Sequence, residues 1–288
     1  MELYIHIPFC MKKCAYCDFL SAPHDRKMRA RYTDALCREI SYYGRHIREP
    51  FDTVFIGGGT PSWLEIPLME RIVKAAGKAF TVKEDAEISI EVNPGTVTKD
   101  AMEAYASWGI NRVSIGLQSA NEEELRLLGR VHSYEHFLKT FEIARNAGIG
   151  NINVDLMTGL PGQTPDMLLH SIRQVTMLRP EHISAYSLMI EEGTLFFDAY
   201  GQDAKRQAAG ENTVYLPTEE ALCELTDLVE ETLSDYGYLQ YEISNFAKEG
   251  FECRHNLGYW RRVPYLGVGL GAASFYDHTR YANERDIY

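Results

Sequence analysis

Three cysteines, Cys10, Cys14 and Cys17, fall within eight residues near the N-terminus, spaced C-x3-C-x2-C in a short loop after an apolar run. Thiols in one loop can turn toward a single metal centre without long-range chain closure, and thiolate is the ligand that iron–sulfur clusters use. A four-iron cluster asks for four ligands. Three cysteines therefore leave one iron open to bind something that reacts, unless a distant fourth residue is recruited. A zinc site or three buried free thiols is the plainer reading of the same spacing. The remaining cysteines are scattered. Cys37 and Cys223 lie in helical runs and read as packing residues, and Cys253, two residues before His255, is not read as a metal ligand.

A second set of residues has the chemistry of a polar pocket. Gly57-Gly58-Gly59-Thr60-Pro61 follows an apolar run, and such a turn exposes backbone amides to a ligand carrying a carboxylate and an ammonium group. A plain strand-to-helix turn is the alternative for this segment alone. Glu91 and Asp155 stand at the ends of predicted buried strands, where an ionised carboxylate is costly unless it meets a cation or several donors. Gln118 lies at a strand end and Arg130 after the following helix. Taken singly, each of these is also compatible with a salt bridge or cap at the rim of the fold. His6, inside the first strand, and His132, just past Arg130, read as structural, although His132 falls near the inferred pocket.

The elements that must position these residues repeat regularly. Short β-rich runs at 3–9, 53–56, 87–92, 112–117, 152–157 and 182–188 alternate with segments of helical apolar spacing at 28–43, 68–79, 99–108, 122–128, 134–147 and 167–178. That order predicts an α/β fold with parallel strands and right-handed crossovers, curled into a barrel, with its chemistry at the C-terminal ends of the strands. Each predicted strand runs into a polar or glycine-rich element at that end. After Leu188 the pattern fades through an acidic, loop-rich stretch, then a helical run at 218–236 leads to an aromatic segment at 255–260. The division expected is a core barrel over 1–210 and a C-terminal extension over 211–288.

With 288 residues and 45% hydrophobic composition the chain can bury a large core. Its net charge of -12 argues against tracking a nucleic-acid backbone, which needs clustered Lys and Arg. No stretch of about 18 apolar residues and no charged leader with an apolar run appear, so a cytoplasmic protein without direct membrane insertion is expected.

The cysteine loop, preceded by Tyr4-Ile5-His6-Ile7-Pro8-Phe9 and containing Tyr16, resembles the radical S-adenosylmethionine (SAM) superfamily, and the resemblance extends over nearly the whole chain. It implies a partial (β/α)6 TIM-like barrel and a 4Fe-4S cluster whose open iron chelates the amino and carboxylate groups of SAM, which the reduced cluster can cleave to a radical. Within the superfamily the chain is similar to the coproporphyrinogen-dehydrogenase-like branch. That similarity implies SAM contacts at Tyr4, Gly58, Gly59, Thr60, Glu91, Gln118, Arg130 and Asp155, and a cofactor-binding place for Tyr16. Coproporphyrinogen dehydrogenases carry a further cysteine two residues after the third ligand, where this chain has Phe19. The sequence Tyr16-Cys17-Asp18-Phe19 looks instead like the HemW-like haem chaperones, as does His255-Asn256-Leu257-Gly258-Tyr259-Trp260, which fits their HNxxYW motif. A neutral imidazole is a good axial haem ligand, and Tyr and Trp offer flat apolar surface to a macrocycle. A packed aromatic turn in which His255 bonds a neighbouring carbonyl is the alternative.

The resemblance therefore implies a carrier that binds haem and a SAM-liganded cluster and delivers haem to acceptor haem proteins, membrane-bound respiratory enzymes among them, with cofactor loading promoting a homodimer. An oxygen-independent coproporphyrinogen III dehydrogenase or another radical SAM enzyme is the competing expectation. Members of the branch continue past the position of Tyr288 into a small C-terminal domain. An apolar surface left bare by its absence is a further expectation.

Overall fold

A computed structural model describes residues 1–288. Six strands form its centre: β1 (Glu2–Ile7), β2 (Phe51–Gly58), β3 (Val82–Val92), β4 (Arg112–Gln118), β5 (Asn151–Thr158) and β6 (His182–Ser187). They pair in parallel and in sequence order, and helices fill the crossovers: α1 (Arg26–Tyr43), α2 (Ile66–Ala79), α3 (Lys99–Ser107), α4 (Glu122–Leu127), α5 (Tyr134–Asn146) and α6 (Pro165–Thr176). Polar residues start most of these helices in the way local chemistry dictates. Thr98, Ser133 and Thr164 each accept a backbone N–H of the first turn, and Ser133 forms a reciprocal capping box with His136.

The alternation of side chains separates two environments. Leu3, Ile5 and Ile7 of β1, and Val113, Ile115 and Leu117 of β4, are buried against the helices. The alternate residues, Glu2, Tyr4 and His6 of β1 and Arg112, Ser114 and Gly116 of β4, point to the opposite, concave face. Every strand carries polar groups on that face, so the barrel interior is a polar chamber enclosed by an apolar jacket.

The rest of the chain extends the same sheet at both edges. α7 (Leu195–Ala208) and α8 (Glu219–Asp235) lead to β7 (Leu239–Gln240) and β8 (Asn245–Ala247), and β8 joins β6 antiparallel. A short helix, α9 (Arg254–Trp260), then crosses from that edge of the barrel to the other, where β9 (Tyr265–Val268) pairs parallel with β1 and carries β10 (Ala273–Tyr276) and β11 (Thr279–Ala282). The eleven strands run β11-β10-β9-β1-β2-β3-β4-β5-β6-β8-β7, so the sheet curls without closing. α7 corrects the expectation of irregular chain after Leu188: Thr194 caps a helix whose inner face carries only Phe196, Gly201 and Asp203 as buried residues, too weak a stripe to give an apolar period.

Candidate functional site

The cysteine loop is fixed at both ends and at its tip. Phe9 bridges Ala22, the Cys10 amide donates to the Ala22 carbonyl at 3.2 Å, and the Ala15 amide donates to Leu128 O at 3.0 Å. The Ala15 carbonyl in turn accepts the Phe196 amide at 2.9 Å, and Tyr16 packs beside Phe196. Leu128, Met157, Leu160 and Phe196 form a small separate apolar cluster under this loop. His6 adds a further tie, its Nε2 bonding Leu20 O at 2.9 Å while its Nδ1 meets the Tyr4 hydroxyl at 3.0 Å.

The glycines bring β2 against this loop. A Cβ on Gly59 would stand 2.8 Å from Phe9 O and 3.0 Å from Cys10 Sγ, and Gly58 has a φ of +121° with the His6 ring where a side chain would go. Thr60 follows, and its hydroxyl donates to Cys10 Sγ at 3.5 Å. Asn93 links Thr60 to the far wall: its amide donates to Thr60 Oγ1 at 2.7 Å and its carbonyl accepts from Arg130 Nη2 at 2.7 Å. Arg130 also donates to Gly116 O and, through Nη1, to Cys14 Sγ at 3.4 Å, while its Nε is buried without a partner. Two of the three sulfurs thus accept hydrogen bonds from the segments that follow β2 and α4, an arrangement suited to thiolates.

Cys10, Cys14, Cys17, Tyr4, Tyr16, Gly58, Gly59, Thr60, Glu91, Gln118, Arg130, Asp155 and His255 all line one cleft of about 640 Å³. Glu91 accepts the Gly58 amide at 2.9 Å. Asp155 accepts from Asn153 at 2.7 Å and from Ser114 at 3.3 Å. Gln118, in a left-handed backbone conformation at φ 75°, accepts the Tyr186 hydroxyl at 3.2 Å. Sequence reasoning missed Asn93, Tyr186 and Arg112. Asn93 stands two residues after Glu91, and the two-residue alternation of β4 and β6 places Arg112 with Ser114 and Tyr186 with Ser184, which is the signal that could have found them.

His255 lies at the other end of the cleft, in its floor. It is 3% exposed, its Nδ1 bonds Thr53 Oγ1 at 2.7 Å and its Nε2 bonds the Tyr259 hydroxyl at 3.0 Å. Glu87 receives the amides of Arg254 and His255 at 3.0 and 3.1 Å and so holds the start of α9. Burial, with the charge of Arg112 adding, pushes the imidazole down to about 3. It is neutral, as a ligand must be, and in this conformation both nitrogens are engaged. The segment is a helix bonded across the barrel, not a turn closed on a neighbouring carbonyl.

Burial raises Glu91 from its ordinary 4.5 to about 8, with the charge of Asp155 adding, and burial raises Asp155 too. A carboxyl whose folded pKa lies above its unfolded value binds more protons when folded. Its contribution to stability is full below about 4.5 and is lost as pH climbs through about 8. Glu2, raised to about 8 chiefly by burial, acts in the same sense. The ligand-free chain should therefore lose thermal stability across that window, and Glu91→Gln should flatten the loss. An unchanged slope in the variant would contradict the placement of Glu91.

The residues fit the groups the cysteine spacing calls for. Three thiols of one loop face one cleft, and two of them accept hydrogen bonds, which suits a thiolate-ligated cluster. Two carboxyls raised in pKa ask for a cation, and the unpartnered Nε of Arg130 asks for an acceptor. SAM, with its ammonium, sulfonium and carboxylate, offers both.

The family model for the radical SAM superfamily matches residues 4–175. The heme chaperone HemW of Escherichia coli K12 is 40% identical over 94% of this chain and 69% of its own length, and HemW of Synechocystis is 38% identical over 98% and 68%. The structure of E. coli coproporphyrinogen III oxidase (HemN), a radical SAM enzyme, superposes with a TM-score of 0.84 and 26% identity over 99% of this chain and 67% of that one. The chain belongs to the radical SAM superfamily and, within it, to the HemW family.

Proposed function

We propose that this chain is a haem carrier that holds haem together with a SAM-liganded 4Fe-4S cluster and hands haem to acceptor haem proteins. The observation that carries the reading is the cysteine loop at the mouth of the cleft with Phe19 in the place of a further cysteine, in a chain 33–40% identical to several proteins named heme chaperone HemW. Cys10, Cys14 and Cys17 would hold the cluster, which when bound supplies a low-potential electron and an open iron that chelates SAM.

The chain's own residues do the rest. Thr60 and Arg130 donate hydrogen bonds to two of the thiolate sulfurs and so favour their charged form. Glu91 and Asp155 meet the positive groups of SAM, and the amides of the Gly58–Thr60 turn are available to its carboxylate. Tyr16 and the apolar cluster behind it keep water from one side of the loop. A cytoplasmic setting, acceptors among membrane-bound respiratory enzymes and a homodimer on loading complete the proposal. No helix is long and apolar enough to cross a membrane, so we place any membrane contact on the acceptor.

The likeness to HemN favours one competing reading, oxidative decarboxylation of coproporphyrinogen propionates. Both are tested together under anaerobic, reducing conditions. A carrier binds haem and passes it to an apo haem protein without releasing carbon dioxide from coproporphyrinogen. Release of carbon dioxide with formation of protoporphyrinogen would overturn the carrier reading.

A further inference from the structure

The proposed haem-carrying role leaves open where on the chain the macrocycle rests, and the inference that follows depends on that role. A haem seat needs apolar or aromatic surface for the ring, a donor atom for the iron and cations for two propionates. The floor of the cleft offers aromatic surface in Tyr4, Phe55 and Tyr259 and a cation in Arg112, but no free donor for the iron. His255 is buried with both nitrogens bonded, and its helix is tied to Glu87 and Thr53.

The mouth supplies all three. Phe19, on the loop after β1, and Met189, on the segment after β6, are each 70% exposed, and both line the same cleft as the three cysteines. Large apolar side chains this exposed beside a functional cleft mark a contact surface. Lys12 and Lys13 line the same mouth. Neither forms an ion pair, and Lys13 donates to the Phe19 carbonyl at 3.2 Å, which sets its ammonium beside that ring's backbone. Asp18 and Glu191 line the cleft too, but two ammonium groups outside any ion pair, next to exposed apolar residues, are complementary to a flat, apolar dianion.

We propose that haem sits across the mouth of the cleft, with the Met189 thioether on the iron, the Phe19 ring against the macrocycle and Lys12 and Lys13 on the propionates. A single thioether is a soft and weak axial donor compared with imidazole, so a seat of this kind suits cargo that must be released. The residue at position 19 then has a positive role, because an aromatic ring there builds the seat where a cysteine would not.

The test is a haem titration of the anaerobically reconstituted full chain. The proteins compared are wild type, Met189→Leu, Phe19→Ala, the pair Lys12→Ala with Lys13→Ala, and His255→Ala. The Soret band, the spin state of the haem iron, the cluster absorbance and the sedimentation coefficient are read separately. The expected result is that Met189→Leu loses the thioether-ligated spectrum and weakens binding by about tenfold with the cluster intact. The lysine pair weakens haem by a similar factor but leaves haem dimethyl ester, which lacks the carboxylates, unaffected. Unaltered affinity and spectrum in Met189→Leu, with binding lost in His255→Ala, would move the seat to the floor and overturn the proposal. Changes in oligomeric state alone for Phe19→Ala and Met189→Leu would overturn it too, marking the rim as a contact between copies. Wild type that holds a cluster but no haem would sink the carrier role itself, an outcome distinct from both.

Discussion

Replacing Cys14 with alanine is expected to lower the iron and sulfide retained after anaerobic reconstitution by at least about tenfold, while the chain stays folded. Loss of a group that only orients a metal ligand already costs about 10–100-fold in affinity, and Cys14 is a ligand itself. The fold should tolerate the change because the Cys14 side chain is only half-buried and its one bond in the apo chain is the weak contact from Arg130. The loop remains anchored through Phe9, Ala15 and Ala22, none of which the substitution touches. Iron analysis and circular dichroism on the same preparation check both halves. Full iron content in Cys14→Ala would mean that the cluster is held elsewhere.

Gly258→Ala should destabilise the chain by about 1–3 kcal/mol, because the added methyl enters space that the Glu2 carboxyl occupies. A Cβ at that position of α9 would stand 1.5 Å from Glu2 Oε1 and 2.2 Å from Glu2 Cδ. Glu2 must give way, and the cost comes from moving a buried carboxyl group. It is buried at the start of β1, and one of its carboxylate oxygens already lacks a partner. The methyl must therefore push the Glu2 carboxyl aside or shift α9 against the bonds of His255 to Thr53 and Glu87. Removing the obstacle should restore most of the loss: in a denaturation cycle, Glu2→Ala with Gly258→Ala should show a favourable coupling of about 2 kcal/mol. A cost below about 1 kcal/mol for Gly258→Ala alone would mean that the floor is looser than the structure has it.

The contrast between these two sites explains how much was legible in advance. The cysteine loop is local, so its spacing alone states what it can bind, and the six strands are buried between helices, so their apolar runs stand out between turn residues. The glycines at 58 and 59 and the carboxyls at 91 and 155 then fall into place as ends of strands. The floor is different in kind. Thr53 and His255 bond across 202 positions of sequence, and Gly258 meets Glu2 from nearly the opposite end of the chain. Nothing in the local pattern of His255–Trp260 tells whether the imidazole points to solvent or into the barrel. The strands β7 to β11 were illegible for another reason: they are two to four residues long and take their stability from the edges of a sheet built by other segments. Arg112 was hidden because an arginine opening an apolar strand reads as a surface residue until the sheet curls and turns that face inward.

The central claim is that the three cysteines leave one iron of a cluster open toward a pocket shaped for SAM. The most direct measurement is the electron paramagnetic resonance spectrum of the anaerobically reconstituted, reduced wild-type chain with and without SAM. A four-iron signal that shifts on addition of SAM, and shifts less in Asp155→Asn, is the result this structure predicts. A cluster signal indifferent to SAM, or a reconstituted protein with no four-iron signal, would contradict it.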